Sequence, residues 1–125
     1  MDQKEYTIEV ENLCKSFGKL EAVAGISFKV EKGQIFGFLG PNGAGKSTTM
    51  RILTGYTQAT SGIARICGFP VASEPHDIKR RIGYMPENNP LPLELRVCEY
   101  LKWRARLKEL PLRHRSKRVD EVMEL

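Results

Sequence analysis

Cysteine, histidine, tryptophan and long apolar runs are what this sequence has least of. Its three cysteines, Cys14, Cys67 and Cys98, are odd in number, far apart and without CxxC spacing. That pattern argues against a disulfide framework and a cysteine zinc site, and for free buried thiols in a reducing cytoplasm. The two histidines, His76 and His114, stand in surroundings that match no catalytic motif and are expected at the surface. The longest mainly apolar stretch, Ile35 to Gly40, falls far short of the roughly 20 residues a membrane-spanning helix needs. No segment resembles a secretory leader. Membrane contact is therefore expected to run through a partner.

What is present is the material of an ordinary globular fold. Of 125 residues, 41% are hydrophobic and 28% charged, values typical of a folded domain, and the length suits one domain at most. The formal net charge is +5, and it is unevenly placed. From His76 to Leu125 there are twelve Lys/Arg and eight Asp/Glu. The basic residues are interleaved with Glu99, Glu109, Asp120 and Glu121 and lack an aromatic stacking platform. They read as a solvated face, or one turned toward lipid headgroups or an acidic partner, rather than as a nucleic-acid site.

Hydrophobic periodicity divides the chain into short elements. Thr7 to Glu11 alternates as a half-buried strand does, and Ile26, Phe28 and Val30 alternate with Ser27, Lys29 and Glu31. The turn Glu31-Lys32-Gly33-Gln34 leads into 35–39, apolar on both faces and so expected as a central strand covered on both sides. Lys46 to Thr54 is expected as a helix with Gly55 as its stop. Ile63 to Cys67 is expected as a strand, Asp77 to Arg81 as a short helix and Ile82 to Met85 as a further strand. Two helices follow the proline-rich 86–92 segment, about Val97 to Glu109 and from about Arg113 onward. In the last, Val119, Val122 and Met123 keep the rhythm of a buried face, and no Gly, Asn or Pro closes it. Strand, loop, helix and strand in this order indicate an α/β domain, and the sequence gives the impression of one cut short.

The chemistry concentrates at Gly40-Pro41-Asn42-Gly43-Ala44-Gly45-Lys46-Ser47, which fits G-x-x-x-x-G-K-[ST] at every fixed position. Glycines let the backbone N–H groups approach phosphate oxygens. The helix beginning at Lys46 aims its positive end at the same place. Lys46 adds a full charge between the outer phosphates, and the Ser47 hydroxyl can ligate Mg²⁺. A Rossmann site is excluded, because G-x-G-x-x-G from Gly43 would need glycine where Thr48 stands.

Along its whole length the chain resembles the nucleotide-binding subunits of ABC transporters. The spelling Gly-Pro-Asn-Gly-Ala-Gly-Lys-Ser-Thr is favoured there. Lys15-Ser16-Phe17-Gly18 resembles the family's adenine-stacking loop, Thr60-Ser61-Gly62 and the following 63–68 its next β-hairpin, and Ile82-Gly83-Tyr84-Met85-Pro86 the approach to its Q-loop. The resemblance implies a P-loop NTPase fold of ABC type over residues 1–125: an antiparallel β-subdomain, the P-loop strand-loop-helix and the start of a helical subdomain. It implies ATP and Mg²⁺ as cofactors, with Gly40, Pro41, Asn42, Gly43, Ala44, Gly45, Lys46, Ser47 and Thr48 around the phosphates and Lys46 as the catalytic cation. Phe17 would stack on adenine, the alternative being a core role, and Val23 would line the ribose or equally the core. Ser47 and Glu87 are the implied metal contacts.

Glu87 departs from the glutamine usual in the family. Export-type branches often carry this Pro-Glu form, and Pro-Glu-Asn-Asn-Pro-Leu resembles the gliding-motility exporters. The family's acidic pair after four apolar residues, its Leu-Ser-Gly-Gly-Gln signature and its switch histidine have no counterpart in these 125 residues. The expectation is therefore an ATPase parent and a polypeptide inactive alone. The expected setting is the cytoplasmic face of a membrane, with permease subunits contacting Pro86 to Tyr100 and a homodimer of the full-length subunit. Two alternatives are a soluble ABC-type ATPase acting on ribosomes or DNA, and a non-catalytic nucleotide-binding fragment.

Overall fold

Gly18 and Lys19 make a two-residue turn between β1 (Tyr6–Phe17) and β2 (Leu20–Glu31), with glycine in the first central position as such tight hairpins favour. This pair anchors the first of two compact units, Met1–Ile82 and Gly83–Leu125, of the computed structural model, which describes residues 5–125. Both strands run well beyond their alternating stretches because bulges absorb the breaks in period. Glu11 and Asn12 together oppose Ser27, whose hydroxyl accepts from the Asn12 N–H at 2.8 Å, and Ala24 and Gly25 together oppose Cys14.

β3 (Ser61–Ile66) pairs antiparallel with β1, and the two-residue β4 (Phe69–Pro70) pairs with β3, giving the order β2-β1-β3-β4. Proline at the outer edge forfeits no ladder bond that matters to the sheet. Cys67 and Gly68 form the β3–β4 turn, both at positive φ. Cys67 is thus a turn residue and not the end of a strand, and it is exposed, with Cys14 and Cys98 half-buried. The expectation of buried thiols fails for that reason: a two-residue turn holds its side chains outward.

One face of the sheet is apolar by alternation, and it carries Val10, Leu13, Ala64 and Ile66 into a core completed by α1 (Lys46–Leu53), through Ile52 and Leu53, and α2 (Pro75–Arg81), through Ile78. α1 stops where Gly55, at φ 70, lets Tyr56 N–H reach Arg51 O at 2.8 Å and Gly55 N–H reach Ile52 O at 2.9 Å, the paired closure of a Schellman motif.

Two expected strands are absent. Residues 35–39 have no ladder partner among the described residues. They still alternate: Phe36 and Phe38 each pack on Phe28 of β2 with centroids 5.4 Å apart, while Ile35 and Leu39 point away, 99% and 93% exposed. The segment is covered on one side, not two. Ile82 to Met85 is likewise irregular, with Met85 exposed. Both runs have the apolar residues of a strand, and neither joins the β2-β1-β3-β4 sheet of the described residues.

In the second unit, α3 (Val97–Leu107) begins where Glu99 accepts from the Arg96 N–H at 2.8 Å, half of a capping box. α4 (Leu112–Met123) packs on α3, with Ala105 and Val119 buried; Val122 and Met123 remain exposed. The Arg115 guanidinium secures the connection by donating to Leu110 O at 2.6 Å. Among the described residues no helix is long and apolar enough to cross a membrane.

Candidate functional site

Helices ordinarily begin with a Ser, Thr, Asp or Asn whose side chain occupies the first free N–H groups. α1 begins instead with Gly45 at φ 85, which has no side chain to offer. Among the described residues, the first N–H of this helix to find an acceptor is that of Thr49, donating to Gly45 O at 2.8 Å. The N–H groups of Lys46, Ser47 and Thr48 are thereby left facing out of the helix start, and the first turn holds no acidic residue. The result is a concentrated positive end with open donors.

The preceding loop is folded back over this end. Ala44 N–H donates to Pro41 O at 3.2 Å, closing a turn. The Lys46 ammonium donates to Gly40 O at 2.5 Å and to Pro41 O at 2.7 Å. The cation is therefore held inside the loop by two neutral carbonyls, and no carboxylate among the described residues pairs with it. Gly43, at φ 83, has open space where a Cβ would stand. Gly45 is the opposite case: a Cβ there would lie 2.2 Å from Ala22 O and 3.2 Å from Val23 Cγ2. Only glycine allows the helix start to press against β2.

That contact places Val23, 4% exposed, against the loop as a buried wall. Lys15 is its partner across the hairpin, and Phe17 lies two residues further on, roughly 7 Å along the strand. The Phe17 ring is 51% exposed and has the Lys15 ammonium 4.9 Å above its centroid. Phe17 is not part of the buried core cluster of the described residues. Ser47 is exposed and Thr48 half-buried. Glu87 stands exposed in the second unit, in the irregular stretch before α3. His76 and His114 are exposed as expected.

Thr49 and the Ala22 carbonyl were missed in the sequence. Thr49, 1% exposed, is the buried polar residue of the described core, and its hydroxyl also donates to Gly45 O at 2.9 Å. It fixes the helix start from within. The signal was available in principle, since a threonine four residues after the last loop glycine can bond that glycine's carbonyl. The Ala22 contact depends on tertiary packing and leaves no local trace.

Magnesium fits this donor set. No group of three His, Cys, Asp or Glu gathers anywhere among the described residues, but Mg²⁺ needs only one or two protein oxygens when phosphates and waters supply the rest. The exposed Ser47 hydroxyl in the first turn is such an oxygen.

Residues 23–125 match the family model described as ABC transporter. The Nod factor export ATP-binding protein I of Ralstonia nicotianae is 38% identical over 117 residues, covering 94% of this chain and 36% of that protein. The linearmycin resistance ATP-binding protein of Bacillus subtilis is also 38% identical over 117 residues, covering 94% of this chain and 38% of that protein. The chain thus spans little more than a third of the length of these curated relatives. A solved structure of an ATP-binding subunit of an ABC transporter superposes with a TM-score of 0.77 at 30% identity, over 86% of this chain and 45% of that one.

Proposed function

The chain belongs to the ABC transporter family, and from that premise we propose that it binds ATP through the 40–48 loop, as part of the ATP-binding subunit of an exporter. The observation that carries this reading is the helix start at Gly45: three N–H groups without acceptors among the described residues, no side-chain cap, and the Lys46 ammonium held by the same loop. An anion with several oxygens satisfies those donors at once. The two loop carbonyls that now hold Lys46 are weak partners beside a phosphate oxygen, so the cation is free to exchange onto it. The adenine would lie over Phe17, whose half-exposed ring offers a stacking face at the hairpin tip. Val23 would close the ribose side.

Ser47 would hold Mg²⁺, which when bound neutralises phosphate charge. The resemblance of the Pro86-Glu87 form to export-type branches supports export, as do the names of the relatives above. Permease subunits would dock near Pro86 to Tyr100, on the cytoplasmic face of the membrane, with the full-length subunit acting as a homodimer. Calorimetric titration with Mg-ATP, ADP and adenosine tests the reading. Affinity should fall as phosphates are removed. Equal affinity for ATP and adenosine would contradict a phosphate cradle.

A further inference from the structure

Residues 102–118 carry eight Lys/Arg and a single acidic residue, Glu109. Lys102, Arg104 and Arg106 occupy the C-terminal half of α3, Arg113, Arg115 and Lys117 the N-terminal half of α4, and Arg118 follows at its middle. The short connection makes the helices antiparallel neighbours, so these halves lie side by side at one end of the pair.

Folding alone does not account for this placement. Cations at the end of α3 suit its dipole, but those at the start of α4 oppose it, and the first turn of α4 has no acidic residue. In the first unit, by contrast, Lys29 and Lys32 bond to Glu9 and Glu5 at 2.9 and 2.8 Å. In the helical pair Arg118 meets Glu121 at 3.0 Å, while Arg113 donates to His114 Nε2 and Arg115 to a carbonyl. Crowding of like charge shows at Lys108, whose ammonium is pushed below its ordinary range by burial first and by the Arg104 guanidinium second.

Beside these cations stand apolar side chains in the open. Trp103, Leu107 and Leu112 are 45%, 55% and 81% exposed, and the Trp103 ring lies 5.9 Å from that of Tyr100. An aromatic pair therefore does accompany the basic residues, which the sequence had not suggested. Guanidinium and ammonium groups bind phosphate headgroups, and Trp and Leu sit favourably at the headgroup–acyl boundary. A nucleic acid could use the cations and the rings, but not the two leucines.

We propose that the α3–α4 hairpin binds acidic phospholipid headgroups directly, with Trp103, Leu107 and Leu112 entering the interface. This selects, among the solvated face, lipid headgroups and acidic partner that the basic stretch left open, a direct contact with lipid, and it is independent of nucleotide binding. Trp103 is the sole tryptophan, so its emission reports the contact. The 125-residue chain should shift its emission to shorter wavelength and co-sediment with vesicles of phosphatidylcholine containing about a quarter phosphatidylglycerol, but not with phosphatidylcholine alone. Raising the salt should reverse both effects. Each surface cation is worth roughly fivefold in partitioning, so Arg113→Gln with Lys117→Gln should weaken binding at least tenfold. Lys19→Gln with Lys32→Gln, the same charge change in the first unit, should weaken it far less. Equal binding to neutral vesicles overturns the proposal, as does an equal loss in both double variants. So does release of the chain from vesicles by short duplex RNA at matched phosphate concentration, which would assign the surface to nucleic acid. Circular dichroism of each variant checks its helices; should the α4 variant lose them, the salt series and the neutral-vesicle comparison on the unaltered chain decide.

Discussion

β1 and the 35–39 segment invert the usual relation between apolarity and burial. In β1, apolar residues alternate with Glu9 and Glu11, yet Val10 and Leu13 are each only 1% exposed. The 35–39 segment is apolar throughout, yet Ile35 and Leu39 stand almost wholly in solvent. The difference is the ladder. β1 has β2 on one side and β3 on the other, and that frame holds its apolar face against α1 and α2. Residues 35–39 join no ladder among the described residues and are held by the stack of Phe36 and Phe38 on Phe28. Apolar composition records what a strand needs; hydrogen-bonded neighbours decide whether it is met.

The sharpest way to break that comparison is to truncate one side chain on each segment. Leu13→Ala should cost about 2–5 kcal/mol, as deletions in a packed core do, whereas Leu39→Ala should change stability by no more than about 0.5 kcal/mol. Urea denaturation followed by circular dichroism measures both, and similar losses would mean that Leu39 is covered after all. Gly45→Ala tests the contact of the phosphate loop with β2. Its Cβ meets Ala22 O at 2.2 Å in a backbone conformation that disfavours side chains, a strain of roughly 1–3 kcal/mol, and ATP affinity should fall with it as the loop shifts.

Phe17→Ala extends the comparison to an exposed aromatic. Stacking on a base is worth about 1–3 kcal/mol, so ATP binding should weaken while the melting temperature barely moves; Phe17→Trp should retain binding. Loss of stability without loss of affinity would remove Phe17 from the site.

The smallest effect concerns lysine titration. The hydrogen bond to Glu9, then its charge, raises the Lys29 pKa, and Glu5 does the same for Lys32. Those ion pairs contribute fully below the ordinary lysine range and are lost as pH rises above it. Lys108 has the opposite sign: its charged form is disfavoured by folding, and that penalty is relieved as pH climbs toward the ordinary range. Side-chain NMR should show Lys108 deprotonating before Lys29 and Lys32.

Much of this was legible in the sequence where the cause is local. The start of α1 at Lys46 and its stop at Gly55 depend on residues within one turn of each other, and both stand as read. The strands were found but cut short, because the bulges at Asn12 and Gly25 break the period of two that revealed them. β4 is too short to show a period. Residues 35–39 and 82–85 were read as strands on apolarity alone, and their pairing is a property of distant backbone that no local pattern carries. The site shows the same division. Lys46 and Ser47 follow from the motif, whereas the press of Gly45 on Ala22 and the burial of Thr49 come from packing.

The central claim is that Lys46 and the uncapped start of α1 hold the phosphates of ATP, and titration calorimetry of Lys46→Ala against the unaltered chain tests it most directly. Removing a charge-assisted contact of about 1.5–3 kcal/mol should weaken Mg-ATP binding at least tenfold, with circular dichroism unchanged because the Lys46 ammonium bonds to carbonyls of its own loop. Equal affinity in the two proteins would contradict the placement of phosphate at this loop.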